Sequence, residues 1–203
     1  MPRSLLAGAI RYALGSAECV TPGLLSGPTP CRDWDLAALL RHANDSLAAL
    51  HEGCTAGFVS LGPAAPDGAP ADGLIATFRD RAAKLLAAVS TASPASPAGP
   101  PGIAIADRRV AAAIVTAVGA VEIAVHGWDV AAACGQGHRR PIPPALASGL
   151  LGIVPLVVTG SVRGTQFAAP VSVPPLAGPG DRLVALLGRD PGLYQEPAGR
   201  LCP

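Results

Sequence analysis

Apolar residues recur at helical spacing through most of the chain, and this periodicity predicts a series of α-helices. The predicted helices cover residues 4–16, 33–54, 73–90, 107–134 and 145–160, the last with a kink at Pro155. Residues 171–175 are predicted to be extended because of their prolines, and a short helix follows over 181–187. The segment over 107–134 is apolar on nearly all sides, which is typical of a central helix.

Polar and glycine residues at the segment ends predict where the helices begin and end. Asp33 is a suitable N-cap for the second helix, and Asp35 suits its first turn, where a carboxylate interacts favourably with the helix dipole. Gly53 is predicted to end this helix, and Gly135 and Gly137 to end the fourth.

Loops separate the helices, and no internal repeat is present. The stretches 57–72 and 91–102 are rich in proline, glycine and small residues, which is typical of loops. We therefore predict an all-α fold, a four-helix bundle forming a single domain over residues 1–203. Its core is predicted over about 4–162, and a short C-terminal appendage over 163–203.

Composition supports packed helices and argues against two classes of partner. Half of the 203 residues are hydrophobic, but only 3% are aromatic, so Ala, Val and Leu must fill the core. The 15 Lys and Arg nearly balance the 14 Asp and Glu, which leaves no basic surface for a nucleic acid. Residues 141–162 carry no charge, but their four prolines and three glycines favour a buried, kinked helix over a membrane span.

Cysteine usage indicates the cytoplasm. The five cysteines are odd in number and widely spaced without a CxxC pair, so a disulfide framework or zinc ribbon is not expected. Arg11 cuts the first apolar run too short for a signal peptide.

Cys31, just before the second helix, is predicted to be a buried small residue rather than a nucleophile. Lys84 is the sole lysine, and this preference for Arg suggests a GC-rich, actinobacterial-type genome.

Two ionisable residues stand out in the most apolar helix. Glu122 and His126 are four residues apart and therefore share one helix face. A carboxylate buried there without a partner would be costly. The sequence leaves two explanations open: a structural hydrogen bond between Glu122 and His126, or a metal ion bound by both.

A third ligand is available in the second helix. His42 interrupts the apolar stripe of this helix and is expected to face the core. Two imidazoles and one carboxylate form a common ligand set for catalytic zinc, with one position left for water or substrate. The alternative places His42 elsewhere and leaves Glu122 and His126 as a structural pair. His51 and His138 are predicted to be solvent-exposed.

Further polar residues lie near these positions. Asp45 and Ser46, one turn after His42, are expected either to line a pocket or to orient His42 through a hydrogen bond, and Asp45 is alternatively a solvated residue. Asp129, one turn after His126, is expected to support the same site or to pair with Arg108 or Arg109. Trp34 and Trp128 are predicted to be packing residues. No catalytic residue is assigned.

Three motifs carry a family resemblance. They are TPCRDWDL at 29–36, followed by His42 in the same helix, VEIAVHGWDVA at 121–131, and LVALLGRDP at 183–191. Together they resemble the mycothiol-dependent maleylpyruvate isomerase family of the DinB-like superfamily. The resemblance implies a DinB-like four-helix bundle holding a divalent metal, usually zinc, with His42, Glu122 and His126 as the matching ligands. It also implies mycothiol as a thiol cofactor.

The chain also departs from the isomerase. Little of it remains after Val162, whereas the isomerase has an additional C-terminal α/β portion, and the arginines expected around a dicarboxylic substrate are not evident. The chain therefore resembles the shorter members of the family, and maleylpyruvate is not implied as its substrate.

Three hypotheses for function remain open. The first is a cytoplasmic, zinc-dependent transferase or isomerase that uses a small-molecule substrate and a low-molecular-weight thiol, mycothiol. The second is a metal-dependent isomerase, cyclase or hydrolase of a specialised pathway that uses no thiol. The third is a non-catalytic helical binding module with a structural Glu122–His126 pair. Neither a nucleic acid nor a membrane is expected as a partner, and homodimerisation is left open.

Overall fold

Helices dominate the computed structural model, which describes residues 2–60, 71–90, 102–158 and 167–194. The helices are α1 (Pro2–Ser16), α2 (Leu36–Ala56), α3 (Ala71–Ser90), α4 (Ala112–Ala133), α5 (Pro144–Leu151), α6 (Val154–Val157) and α7 (Pro179–Leu186). This content confirms the predicted all-α fold class. Of the predicted loops over 57–72 and 91–102, residues 61–70 and 91–101 lie outside the described residues. The described parts differ from the prediction, because residues 58–59 and Gly102 lie in short strands and α3 begins at Ala71.

The four long helices pack around one core. α1 lies against α4 and α3, and α2 lies against α3 and α4. Leucine and alanine fill most of the interior, as the composition predicts, and Leu6, Leu40 and Ala124 are fully buried. A Cβ atom at Gly127 would lie 3.0 Å from the Cα atom of Ala13, so glycine is what allows α1 and α4 to approach so closely.

The start of the central helix differs from the prediction. Three short strands form one sheet: β1 (Phe58–Val59) pairs in parallel with β2 (Gly102–Ile105), which pairs antiparallel with β3 (Arg108–Ala111). The prediction of helix from residue 107 is therefore wrong, and α4 begins at Ala112. Pairing of β3 with β2 satisfies the backbone groups that the helix would otherwise have used.

The ends of α2 also differ from the prediction. Asp35, not Asp33, is the N-cap, and its carboxylate accepts a hydrogen bond from the Ala38 backbone N–H at 2.7 Å. Gly57 adopts a left-handed conformation with φ of 80° and ends the helix. Gly53 lies inside α2, where its missing side chain accommodates Ile103 of β2. The close approach of a neighbour, rather than helix termination, accounts for Gly53.

The apolar segment after α4 is divided into two short helices. α5 ends at Leu151 and α6 begins at Val154, so the break precedes Pro155, which lies in the first turn of α6. A proline there disrupts no helical hydrogen bond. The predicted single helix with a kink at Pro155 is therefore wrong in detail, and residues 159–160 of it lie outside the described residues. Within the described residues, one helix is long and apolar enough to cross a membrane: α4, whose apolar window is 67% buried inside the fold.

The C-terminal residues pack back onto the bundle. Residues 171–175, predicted to be extended, form no helix or strand, and a turn at 175–176 leads into α7, which replaces the helix predicted over 181–187. α7 contacts α5, and the backbone N–H of Val171 donates to the carbonyl of Ala185 at 2.9 Å. Leu183, Val184 and Leu187 are buried in the same core as the bundle. The C-terminal stretch is thereby fixed close to the parts of α2 and α4 that carry the ionisable residues.

Candidate functional site

Three ionisable side chains from two helices meet in the structure. His42 lies on α2, whereas Glu122 and His126 lie one turn apart on α4. The Oε1 atom of Glu122 is 2.6 Å from His42 Nε2 and 3.2 Å from His126 Nε2. One potential ligand atom from each of the three residues lies within 4.8 Å of the other two. The structure therefore brings together the three residues that the sequence singled out.

The close packing of α2 and α4 positions these groups. A Cβ atom at Gly119, one turn before Glu122, would overlap the side chain of Leu50 on α2. Glycine at this position lets the two helices approach, so that side chains from α2 and α4 reach each other across the interface. Because Glu122 and His126 are four residues apart on α4, both face His42.

A second charged cluster lies on the other side of His126. The Nδ1 atom of His126 is 3.0 Å from Oδ2 of Asp129, and this carboxylate is fully buried. The guanidinium of Arg189 donates to Asp129 Oδ2 at 3.0 Å and to Oδ1 at 3.3 Å. The partner of Asp129 is thus Arg189 of the C-terminal stretch, not Arg108 or Arg109.

The shifted pKa values in the two clusters follow from these contacts. Burial alone would raise the pKa of Glu122, but hydrogen bonds from His126 and His42 outweigh it and lower the pKa well below its usual range. Burial likewise opposes charge on His126, yet its contacts with Asp129, Cys31 and Glu122 raise its pKa well above the usual value. Burial also opposes ionisation of Asp129, but Arg189 keeps its pKa lowered. These directions favour a doubly protonated, cationic His126 imidazole between the ionised carboxylates of Glu122 and Asp129.

Cys31 has a different setting from the one predicted. Its Sγ atom lies 3.4 Å from Asp129 Oδ2 and 3.5 Å from a guanidinium nitrogen of Arg189. The side chain is half-buried and forms part of a cavity wall. The prediction that Cys31 is a buried small residue is therefore wrong. Cys31, His126 and Asp129 also form a potential ligand group, but Asp129 is already paired with Arg189.

A cavity of about 930 Å³ opens beside His42, Glu122 and His126. Three parts of the chain form its wall: the turn before α2, one face of the middle of α4, and two C-terminal stretches. The lining positions besides the three ionisable residues are 30–34, Val121, Val125, 167–169, Val171 and 187–189. The C-terminal residues thus form a full side of the cavity.

Sequence reasoning missed three features of this cavity. The ring of Trp34 lies 4.7 Å from the ring of His42 and 6.1 Å from that of His126, so it lines the site as well as packing. Arg32 and Arg189 both line the cavity, contrary to the expectation that arginines were absent there. The available signal was that Trp34 and Arg189 both lie inside the family-like motifs.

Of the remaining predicted residues, one lies next to the cluster of His42, Glu122 and His126, and the others lie away from it. The Ser46 hydroxyl donates to Glu122 Oε1 at 3.5 Å and therefore belongs to the cluster. Asp45 points elsewhere, because its carboxylate lies 3.7 Å from the Arg81 guanidinium of α3. Trp128 is buried in the core, as predicted. His51 and His138 are partly exposed and lie outside the cavity lining.

Comparisons with known proteins place the chain in a family. Two uncharacterized proteins of Mycobacterium tuberculosis, one from strain CDC 1551 and one from strain H37Rv, are each 29% identical to the chain over 170 residues. The alignments cover 81% of the chain and 85% of each relative. No solved structure gives a significant match. Residues 7–131 match the family described as the mycothiol maleylpyruvate isomerase N-terminal domain, and this stretch contains His42, Glu122 and His126. On this match over more than half of its length, the chain belongs to the mycothiol maleylpyruvate isomerase N-terminal domain family.

Proposed function

We propose that this protein is a metal-dependent enzyme in which His42, Glu122 and His126 hold a divalent metal ion, zinc, beside the substrate cavity. The observation that carries the proposal is the convergence of these three side chains at the wall of a cavity of about 930 Å³. A purely structural ion pair would need neither the second histidine nor the adjoining space.

The residues fit a zinc ion in number, type and spacing. Zinc takes imidazole nitrogens and carboxylate oxygens at about 2.0–2.2 Å, which separates neighbouring ligands of a tetrahedral site by about 3.3 Å. Glu122 Oε1 lies 3.2 Å from His126 Nε2, and the shorter 2.6 Å contact with His42 Nε2 needs only a small side-chain movement to admit the ion. Three protein ligands also leave one position for a substrate or thiol.

The surrounding residues prepare this ligand set. The Asp129 carboxylate accepts a hydrogen bond from Nδ1–H of His126, which leaves Nε2 as the nitrogen directed towards Glu122. The ring of Trp34 lies against both imidazoles and restricts their movement. A divalent metal bound by these residues would act as a Lewis acid. It would lower the pKa of a bound thiol or water molecule to near neutrality.

We further propose that the reaction uses a low-molecular-weight thiol, mycothiol, in a transferase or isomerase reaction. The family to which the chain belongs is named for a mycothiol-dependent isomerase. The cavity lies at the upper end of the usual range for ligand sites, so it can admit a thiol cofactor together with a small electrophile. Arg32 places a positive charge at the cavity wall, which favours an anionic group on one of the two molecules. We assign the activity to the cytoplasm, where the four cysteines that the structure describes would stay reduced.

Metal analysis of the purified protein tests the first step. We expect about one equivalent of metal per chain in the wild type and a loss of nearly all of it in His42→Ala. His51→Ala is the matched control, because His51 lies on the same helix but outside the cavity lining, and it should retain the metal. Equal metal content in the wild type and His42→Ala would refute the metal site.

Assays with and without mycothiol test the second step. A panel of small electrophiles is incubated with the zinc-loaded protein, and the consumption of electrophile and thiol is followed by mass spectrometry. Turnover that requires mycothiol supports the thiol-dependent reaction. Turnover that is equally fast without a thiol favours the thiol-independent metalloenzyme instead.

A further inference from the structure

The cavity beside the proposed metal ligands has an apolar wall as well as its charged residues. The side chains of this apolar wall are Val121, Val125, Phe167, Val171 and Leu187. The first two belong to α4, and the other three belong to the C-terminal stretches. Because contact with such a wall removes apolar surface from water, the wall favours a ligand that has an apolar body.

Two arginines line the cavity, and they differ in whether a ligand can use their charge. The Arg189 side chain is 10% exposed, and its guanidinium donates to both carboxylate oxygens of Asp129 and to the carbonyl of Leu187. Arg32 is exposed, and no carboxylate among the residues that the structure describes forms an ion pair with it. Of these two guanidinium groups, the one that is available to a ligand is therefore that of Arg32.

The carboxylates of the cavity wall disfavour a second anionic group on the ligand. Asp33 is exposed and lines the cavity next to Arg32, and Glu122 lines it among the proposed metal ligands. In the proposed reaction the open metal position belongs to the thiol. A second carboxylate would therefore lie near a negative charge or against the apolar wall, where an unpaired charge is costly.

We propose that the cavity selects an electrophile with a single carboxylate and an apolar body, and that Arg32 determines this specificity. The inference rests on the proposed function, because it names the class of substrate that the same site would take. The planar guanidinium of Arg32 can donate two parallel hydrogen bonds to a carboxylate. The apolar body then lies along the apolar wall, and a cavity of about 930 Å³ accommodates such a molecule.

Trp34 allows binding in the cavity to be observed without measuring activity. Its ring lines the cavity 4.7 Å from the ring of His42. The other tryptophan, Trp128, is buried in the core and is not part of the cavity lining. A ligand in the cavity should therefore change the fluorescence of Trp34 and leave that of Trp128 nearly constant. Trp34→Phe should remove the signal and serves as the optical control.

The experiment titrates three probes of equal chain length into the full-length protein and follows the tryptophan fluorescence. Hexanoate has one carboxylate, hexanedioate has two and 1-hexanol has none. Each titration is done with protein stripped of metal by a chelator and again with zinc-loaded protein. In the metal-free protein we expect hexanoate to bind about tenfold more tightly than either of the other probes, because it alone satisfies both Arg32 and the apolar wall.

Three variants separate the two parts of the cavity. Arg32→Gln should weaken the binding of hexanoate about tenfold and leave that of 1-hexanol unchanged. Arg41→Gln is the matched control, because Arg41 is an exposed arginine of α2 outside the cavity lining, and it should bind hexanoate as the wild type does. Phe167→Ala should weaken the binding of hexanoate and 1-hexanol to the same extent, because both use the apolar wall.

Two results in the metal-free protein would overturn the proposal: hexanoate binding that Arg32→Gln leaves unchanged, and hexanedioate binding as tight as that of hexanoate. Metal content is measured separately, so failure of the proposed function has a different signature. A protein that takes up no zinc but binds hexanoate through Arg32 refutes the metal site and leaves the ligand class standing. A protein that binds hexanoate only when loaded with zinc, whatever residue is at position 32, keeps the metal site and refutes the role of Arg32.

Discussion

The two sides of His126 carry charged clusters of opposite character. On its Nε2 side, His42 and Glu122 retain 37% and 29% of their side-chain exposure and border the cavity. On its Nδ1 side, Asp129 is fully buried and the Arg189 side chain is only 10% exposed. His42, His126 and Ser46 all converge on Oε1 of Glu122, whereas the two oxygens of Asp129 are shared out among its partners.

This difference separates the cluster of His42, Glu122 and His126, which we propose to bind a metal ion, from the pair of Asp129 and Arg189, whose charges already neutralise each other. Asp129 and Arg189 form a buried ion pair, here called the closed pair, whose net charge is zero. Its carboxylate orients His126 through the hydrogen bond to Nδ1. The other group, His42, Glu122 and His126, is the open cluster. Three side chains share the single oxygen Oε1 of Glu122 there, and in our proposal a metal ion takes the place of the protons between them. The same histidine belongs to both clusters, which couples the C-terminal stretch to the proposed site.

The largest effect is expected from breaking the closed pair. Arg189→Ala leaves the Asp129 carboxylate buried without its charge partner, which should lower the free energy of unfolding by about 3–5 kcal/mol. Urea denaturation monitored by circular dichroism measures this. Arg182→Ala, an exposed arginine on α7, is the matched control and should change stability by less than about 0.5 kcal/mol. Similar small losses in both variants would show that the pair is not closed as described.

The open cluster should respond in metal affinity rather than mainly in stability. Glu122→Gln removes the anionic ligand, so we expect zinc affinity to fall by more than about 100-fold, or about 2.7 kcal/mol. The metal-free variant should lose only about 1–3 kcal/mol of stability, since two charge-assisted hydrogen bonds are weakened. Zinc titration against a chromophoric chelator measures the affinity. Loss of stability without any change in zinc binding would instead support a structural Glu122–His126 pair.

Protonation of His126 predicts that the zinc affinity of the open cluster depends on pH. Because the pKa of His126 is raised in the folded metal-free protein, the imidazole is protonated at pH 7 and zinc must displace that proton. Affinity should therefore fall as the pH decreases below this raised pKa, by about tenfold or 1.4 kcal/mol per pH unit for one proton. Calorimetry in buffers of different ionisation enthalpy should detect the released proton at pH 7. An affinity that is constant between pH 6 and 8 would contradict the assignment.

The smallest effect is expected at a residue that neither cluster contains. Asp45 is 48% exposed and lies 3.7 Å from Arg81, so Asp45→Ala should cost less than about 1 kcal/mol and leave zinc binding unchanged. Ser46→Ala is the informative comparison, because the Ser46 hydroxyl reaches Glu122. A loss of zinc affinity in Asp45→Ala that exceeds the loss in Ser46→Ala would reverse this assignment.

Much of the bundle could be predicted because its causes are local. Helical spacing of apolar residues marks the long helices, and the four-residue separation of Glu122 and His126 places them on one face without any tertiary information. The hairpin of β2 and β3 was missed because its strands have only four residues each, and Ala106 and Asp107 are weak turn signals. The N-cap was misplaced by two residues because Asp33 and Asp35 are chemically equivalent as caps.

The partners of the site were harder to predict. Arg189 is 60 residues away from Asp129 along the chain, and nearer arginines were equally plausible partners by charge. Trp34 looked like a packing residue, and only its position against His42 shows that it also lines the cavity. Such pairings depend on how the C-terminal stretch and the turn before α2 fold back, which no local pattern encodes.

The sequence by itself determined a helical bundle with a few ionisable residues in an apolar interior, because periodicity and burial are properties of each helix. It also marked Glu122, His126 and His42 as candidates, since a buried charge requires a partner. Only the tertiary structure decided which side of His126 is open and which is closed. That outcome depends on Arg189 reaching Asp129 from the far end of the chain, and on the C-terminal residues forming a cavity wall instead of filling the space.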